Sequence, residues 1–450
     1  MFPGYSIPLE FTSWPAHGGM TGLATHLAPF LDLDGDEAYT PTAGESPCVP
    51  GDQALYTIFN DQNEGDVLTQ MPRMGLEIHI TAFSYASDDK AIDQTIFIHY
   101  RIINRSDTTY ENVRIGAFAD IDVGCHNDDF IGCDVGRNLM FGYNWDDNDV
   151  SCFGNVGYGP KPPAYGITLL KGPLLDGTGA DEPVQLALPA YNGTGFGDGI
   201  ADNERSGMTG MIYFNREGNQ FMTDPSNAVH IDNYLQSTWK NGLHMTYGGN
   251  GYSEDPDAVP AQFMFPWDTD TLGVGTAGTP MPDWREVQPT PTMPDRRGVM
   301  STAPFTLEPG MEQDLLYAHV YARAFEGSSE ASVHALKARV DSVRAFAEQI
   351  PGIMAPGSPC EGLALGLAEL RNTAVPVRIR PNPTKDVVII DEPFAGVATS
   401  QIMDGLGKVV ATQNITDHPA TLDVRHLAPG VYHLRLETRE HIRYGRFMKE

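Results

Sequence analysis

Three runs of carboxylates are where this sequence could do chemistry. Asp32, Asp34 and Asp36 alternate in the run Asp32-Leu33-Asp34-Gly35-Asp36. A hard cation needs several oxygens converging on it, and alternate carboxylates around a glycine that permits a sharp turn can supply them. The twelfth position of a full EF-hand loop would be Ala43 rather than Glu, so the pattern is that of a looser calcium loop. Asp120, Asp122, Asp128, Asp129 and Asp134 form a second run just after a strand pattern. Carboxylates this dense repel one another when brought together, and calcium or a similar ion removes that cost. Paired carboxylates also serve glycoside hydrolysis, but spacing along a sequence does not give their separation in space. The third run is Gly197-Asp198-Gly199-Ile200-Ala201-Asp202-Asn203-Glu204, in which Asp198, Asp202 and Glu204 are the candidate ligands. For each run the competing reading is a solvated acidic turn.

Other chemistries lack an anchor. The sequence has no G-x-S-x-G elbow, P-loop, H-E-x-x-H or dinucleotide fingerprint. His79 and His99 fall in strand patterns and read as structural residues. Trp239 and Trp267, with Tyr234, Tyr247 and Tyr252, would suit a sugar-stacking platform, although aromatics in a β-rich chain more often fill the core. Five cysteines without a C-x-x-C pair fit no zinc site. Cys125, Cys133 and Cys152 lie close enough for one disulfide among them in an oxidising compartment, while Cys48 and Cys360 stand apart. An odd total leaves one thiol unpaired unless bonding is intermolecular.

The elements that must position these residues are mainly strands. Residues 1–325 are rich in Gly, Pro, Asn and Asp, and alternation predicts strands over Leu76–Phe83 and Thr95–Asn104. Val113–Asp120 follows a Ser106-Asp107 turn and is expected to pair with Thr95–Asn104. Two more strands are expected around Glu308-Pro309-Gly310. One helix is predicted over Ser329–Ile350, where Val333, Leu336, Val340, Val343, Phe346 and Ile350 step by three or four. Pro351–Ala374 mixes Gly and Pro and reads as a linker. The expected fold is mainly β: a large antiparallel β-sandwich-like body over 1–325, a helix and linker over 326–376, and a small Ig-like β-sandwich over 377–450.

Charge divides the chain at the same place. The 450 residues carry 29 Lys and Arg against 59 Asp and Glu, a net of −30. Residues 377–450 hold ten basic and nine acidic side chains, which leaves 19 against 50, a net of −31, in residues 1–376. So acidic a body repels nucleic acid and anionic membranes, and it suits a soluble exported protein or a cation binder. No apolar run is long enough for a transmembrane helix. Met1-Phe2-Pro3-Gly4 has neither a cationic start nor an apolar stretch of the signal-peptide kind, and the expectation is that Met1 lies inside a longer natural chain.

The last segment carries the most specific motifs. Val377 and Ile379 alternate with Arg378 and Arg380, and Pro381-Asn382-Pro383 then stops the strand. Asp404, Gly405, Gly407 and Lys408 make a hairpin turn of the D-G-x-G-K type. Leu427, Pro429, Gly430, Val431 and Tyr432 follow as L-x-P-G-V-Y, and Arg446-Phe447-Met448-Lys449 closes the chain. In type, order and position the segment resembles the type A C-terminal sorting domain of the type IX secretion system. It departs in having Arg446 where Lys is commoner and in the extra Glu450. The resemblance implies export to the periplasm, passage through a dedicated outer-membrane translocon, and reading by a cell-surface sorting peptidase. Release or attachment to lipopolysaccharide would follow.

The body resembles large Bacteroidetes exported proteins bearing the same tail, through segments such as GDQALYTIFNDQNE (51–64), FIHYRIINRSDTTYENVRIGAFADIDVG (97–124) and DRRGVMSTAPFTLEPG (295–310). Those proteins have no settled activity, and they continue upstream of the Phe2-Pro3-Gly4-Tyr5 region. Two functional classes stay open. One is a non-catalytic surface or secreted module, adhesive or glycan-binding and stabilised by calcium. The other is a secreted hydrolase acting on polysaccharide or protein through acidic cleft residues. Converged carboxylates favour the first, and a deep pocket with two facing carboxylates favours the second.

Overall fold

Period-two alternation of β-branched and aromatic residues becomes strand wherever one face finds cover. The computed structural model describes residues 9–18, 27–61, 73–184, 187–216, 218–287, 295–355, 379–390, 398–403, 409–415, 419–437 and 442–450. Two units separate by their internal contacts, Met1–Pro359 and Cys360–Glu450. In the first, the principal strands are β1 (Gln53–Asn60), β2 (Leu76–Ser84), β3 (Thr95–Asn104), β4 (Gly116–Asp120), β5 (Asp129–Asp134), β6 (Leu139–Asn144), β7 (Ala164–Lys171), β8 (Met208–Asn215), β9 (Arg296–Thr302) and β10 (Glu312–Ala322). The helices that matter here are α1 (Ala228–Leu235) and α2 (Ser329–Ala347).

A seven-stranded antiparallel sheet, in the order β1-β2-β3-β10-β7-β6-β5, forms the middle of this unit. One core lies between it and a three-stranded sheet ordered β8-β9-β4: Ile131, Met140, Leu169, Leu315 and Tyr317 meet Met211, Tyr213 and Met300 there. A second core lies on the opposite face, where Phe97, Phe141, Leu316 and Ala318 receive Val333, Leu336, Val340 and Val343 of α2. The unit is therefore mainly β, with large antiparallel sheets and one long helix. The approach of α2 requires a glycine. A Cβ at Gly166 of β7 would stand 2.7 Å from Leu139 Cδ1 and 3.1 Å from Leu336 Cδ2.

One pairing differs from expectation. The strand β3 does not pair with Val113–Asp120, because β2 and β10 already flank it on both sides. That segment instead splits: Tyr110–Val113 pairs with Phe305–Leu307, and β4 pairs with β9. The split moves Asp120 onto the smaller sheet.

The second unit contains β11 (Ile379–Arg380), β12 (Val387–Ile390), β13 (Ala398–Met403), β14 (Val409–Ile415), β15 (Ala420–Asp423), β16 (Gly430–Glu437) and β17 (Ile442–Lys449). They form sheets ordered β11-β12-β15 and β14-β13-β16-β17. Val388, Ile390, Leu422, Ile402, Leu434, Leu436 and Phe447 make one core between them. Most of the predicted linker, from residue 356 onward, lies outside the described residues.

Candidate functional site

Among the described residues, two carboxylate groups bring their oxygens within 4.8 Å of one another: Asp32, Asp34, Asp36 with Glu45, and Asp120, Asp122 with Asp295. The first is a loop folded by its own side chains. Asp32 accepts from Gly35 N at 2.8 Å and Glu37 N at 3.0 Å, Asp34 from Asp36 N at 3.3 Å, and Asp36 from Ala38 N at 2.8 Å. Gly35 takes φ +76°, the left-handed conformation that this turn needs. The Gly35 N–H leads the backbone donors that hold the Asp32 carboxyl below its ordinary value. Buried Glu45 closes the loop, accepting from Leu33 N at 3.1 Å and from Thr40 N. Glu45 stands beyond any twelve-residue frame, and the signal for it was a glutamate in a turn, Gly44-Glu45-Ser46.

The second group sits at the end of β4, on the smaller sheet. Arg297 organises it, donating to Asp120 at 3.1 Å, to Asp295 at 3.0 Å and to both oxygens of Asp224 at 2.6 and 2.7 Å. With Asp122, four carboxylates thus surround one guanidinium. Burial, then Asp120 and Asp295, push the Asp122 carboxyl up, and burial followed by Asp120 does the same to Asp295. The Asp295 side chain is 12% exposed and its Oδ1 is buried without a partner. Both observations describe an excess of negative charge that a cation would relieve. Asp295 was legible only as an acid beside two arginines.

An apolar cavity of about 500 Å³ adjoins this group, between α1 and the outer face of the smaller sheet. Phe118, Phe214, Tyr234, Leu235 and Val299 line it, with Asp224 among them. Phe118 lies two residues from Asp120 on β4 and is 59% exposed. Phe214 stacks on Tyr234 with ring centres 4.9 Å apart. A smaller cavity of about 240 Å³ is lined by Tyr247, Asp268, Asp270 and Pro282, among others. The Asp270 carboxylate is occupied there by the N–H groups of Val274 and Gly275. Trp239 and Trp267 are core residues and form no surface platform.

The remaining candidate ligands are placed elsewhere. Asp134 is buried against Arg137 at 3.0 Å and Lys337 at 3.2 Å. Asp128 and Asp129 lie at the start of β5, beside buried Asp149. Asp198 accepts from Ile200 N and Asn203 Nδ2, Asp202 from Gly179 N, and Glu204 from Glu182 N. These three brace a loop, and the described residues do not bring their oxygens into one group. Cys125 and Cys152 form a disulfide, Cys48 is also disulfide-bonded, and Cys133 is a buried free thiol.

In the C-terminal unit the motifs from opposite ends of the segment meet. Asn382 Nδ2 donates to Arg446 O at 3.0 Å, and Met448 N donates to Asn382 Oδ1 at 2.9 Å. Thr384 and Glu450 extend the zipper through Thr384 N to Met448 O and Glu450 N to Thr384 O, both 2.8 Å. Pro381 and Pro383 flank Asn382, and Lys449 is buried at the end of β17. Tyr432 stacks on Phe447 at 5.7 Å, and its hydroxyl closes the Ala428-Pro429-Gly430 turn by donating to Ala428 O. Leu427 is buried beneath that turn. Asp404, Gly405, Gly407 and Lys408 lie outside the described residues.

The chain thus combines an acidic β-rich unit with a small two-sheet unit. Residues 378–450 match the family described as the secretion system C-terminal sorting domain. The chain therefore carries the sorting domain of Bacteroidetes-type proteins secreted by the type IX system. No curated protein matches it in sequence. Among solved structures, a polysaccharide lyase is 7% identical with a TM-score of 0.22, covering 88% of this chain and 39% of its own. The chain thus spans about two fifths of that lyase's length. The BSP domain of a biofilm-associated protein is 8% identical with a TM-score of 0.15, covering 86% and 84%. No helix among the described residues is long and apolar enough to cross a membrane.

Proposed function

We propose that the acidic body is a calcium-stabilised, non-catalytic binding module for carbohydrate, delivered by its sorting domain to the cell surface or the medium. The observation that carries this reading is the Asp120–Asp122–Asp295 group beside an aromatic-lined cavity, linked to it through Arg297 and Asp224. A calcium ion held by three carboxylates keeps open positions for hydroxyl oxygens, and an exposed aromatic ring supplies a stacking surface for the apolar face of a sugar. The Asp32 loop adds a second ion with a structural role. Hydrolysis is the weaker reading: Asp224 is paired to Arg297, and Asp270 is held by two backbone donors. Attachment to lipopolysaccharide after sorting accords with a surface role.

The test is affinity electrophoresis through gels containing soluble polysaccharides, in calcium and in chelator. Calcium-dependent retardation is expected, lost in Asp122→Asn and in Phe118→Ala. Equal mobility with and without calcium for every polysaccharide would sink the reading. Chelator should also lower the melting temperature, because calcium at a hundred times its Kd stabilises the folded state by about 2.7 kcal/mol.

A further inference from the structure

We propose that the buried, partnerless oxygens of Asp129 and Asn144, with that of Asp128 beside them, form a further cation site of the body, fitted to calcium. Asp129 opens β5 and Asn144 ends β6, and the two are direct partners in the register. Side chains so paired share a face, with Cβ atoms about 5 Å apart. Asp129 is 2% exposed and Asn144 is 0% exposed. One oxygen of Asp129, Oδ2, accepts from Val123 N at 2.7 Å, and the other has no partner. The amide of Asn144 is fixed by two bonds from Nδ2, to Asp146 O at 3.0 Å and Asp146 Oδ1 at 3.1 Å. Its Oδ1 is left buried and without a partner, as is Oδ1 of Asp128.

Three buried acceptor oxygens on three neighbouring residues therefore lack donors. A buried acceptor left without a donor is costly, and more so when it is charged. Around them the charge is of one sign. Asp146 and Asp149 are close by, and none of these four aspartates is in an ion pair among the described residues. Burial, then Asp149 and Asp146, push the Asp128 carboxyl up to about 6, and burial pushes Asp129 well above its ordinary range. A proton on Asp129 Oδ1, donated to Asn144 Oδ1, would satisfy two of these oxygens and leave Asp128 Oδ1 without a donor. A hard cation satisfies all three and offsets the charge at once.

The surroundings hold these side chains in place. Asp149 is buried, with its oxygens taken by Cys125 N at 3.2 Å and Tyr158 N at 2.6 Å, so it contributes field rather than a free ligand. Gly124 makes room for it: a Cβ there would lie 1.8 Å from Asp149 Oδ2. The Cys125–Cys152 disulfide ties together the two loops that carry Asp128 and Asp149. The inference shares with the proposed function a calcium-binding body, but it rests on different side chains from the Asp32 loop and the Asp120 group.

Calorimetric titration of the full chain with calcium chloride, after stripping with chelator, tests it. Asp129→Asn should bind one calcium fewer than the unmutated chain. Asp122→Asn, in the group that carries the proposed function, should lose a different equivalent and keep this one, so the two readings fail separately. Asp128→Asn, altered in a loop, gives the same loss as Asp129→Asn and covers the case in which the buried variant does not fold. In chelator Asp129→Asn should melt at or above the unmutated chain, and in calcium below it. Unchanged calcium stoichiometry in both single variants would overturn the site. So would an Asp129→Asn chain that is more stable in both conditions, which is the signature of a neutral acid bonded to Asn144.

Discussion

Asp314 illustrates how single residues of this body carry charge across the large sheet. It lies on β10 with a side chain 23% exposed, and it pairs with Lys171 of β7, Arg205 at 2.9 Å and His99 of β3 at 3.6 Å. Burial alone would raise its carboxyl. His99, Arg205 and Lys171 outweigh burial and hold it well below the ordinary range. A carboxyl depressed in the folded state contributes stability that is present above its unfolded pKa of about 3.9 and is lost as pH falls through the folded value. Asp314→Asn is therefore expected to cost about 2–4 kcal/mol at pH 7, where it leaves two cations short of a partner. The difference between variant and unmutated chain should shrink as pH drops below about 4. Urea unfolding at pH 7 and pH 3 checks this, and a difference that stays constant between the two would contradict the ion-pair account.

At the scale of elements, α2 depends on apolar residues that are wholly withdrawn from water. Val333, Leu336, Val340 and Val343 are 0% exposed against the large sheet. Leu336→Ala should cost about 2–5 kcal/mol, a lost transfer energy plus a cavity, read as a fall in urea midpoint with an unchanged slope. A cost under about 1 kcal/mol would mean that the helix is not seated as described. This helix was legible in the sequence because its spacing of three and four is a local property, and so were the strands Leu76–Ser84 and Thr95–Asn104. Pairing was not. The partner of β4 is β9, about 180 residues away, and nothing local distinguishes it from the nearer β3. The same limit hid one member of each carboxylate group. Asp32, Asp34 and Asp36 stand together in sequence, but Glu45 reaches them only through the fold, and Asp295 reaches Asp120 only because β9 lies beside β4. Asn144 was invisible for another reason: an amide gives no acidic signal until its strand partner is known to be Asp129.

At the scale of the whole molecule, the division of labour follows the division of charge. The body holds the carboxylates, and the nearly neutral C-terminal unit holds the export signal, which the β17 zipper makes a folded object rather than a linear tag. Asn382 accepts from and donates to the last strand, so the Pro381-Asn382-Pro383 motif and the Arg446–Lys449 terminus form one surface. Two consequences separate the address from the cargo. Deleting residues 377–450 should leave the body folded and retained in the periplasm of a host with a working type IX system, measured by fractionation and immunoblotting. Normal appearance outside the cell would contradict sorting by this unit. Asn382→Ala removes both clamping bonds at a cost of about 1–3 kcal/mol. It should reduce export in proportion to the loss of folded sorting unit while leaving calcium binding by the body unchanged. Export that falls without any loss of folding would instead place Asn382 in direct contact with the secretion machinery.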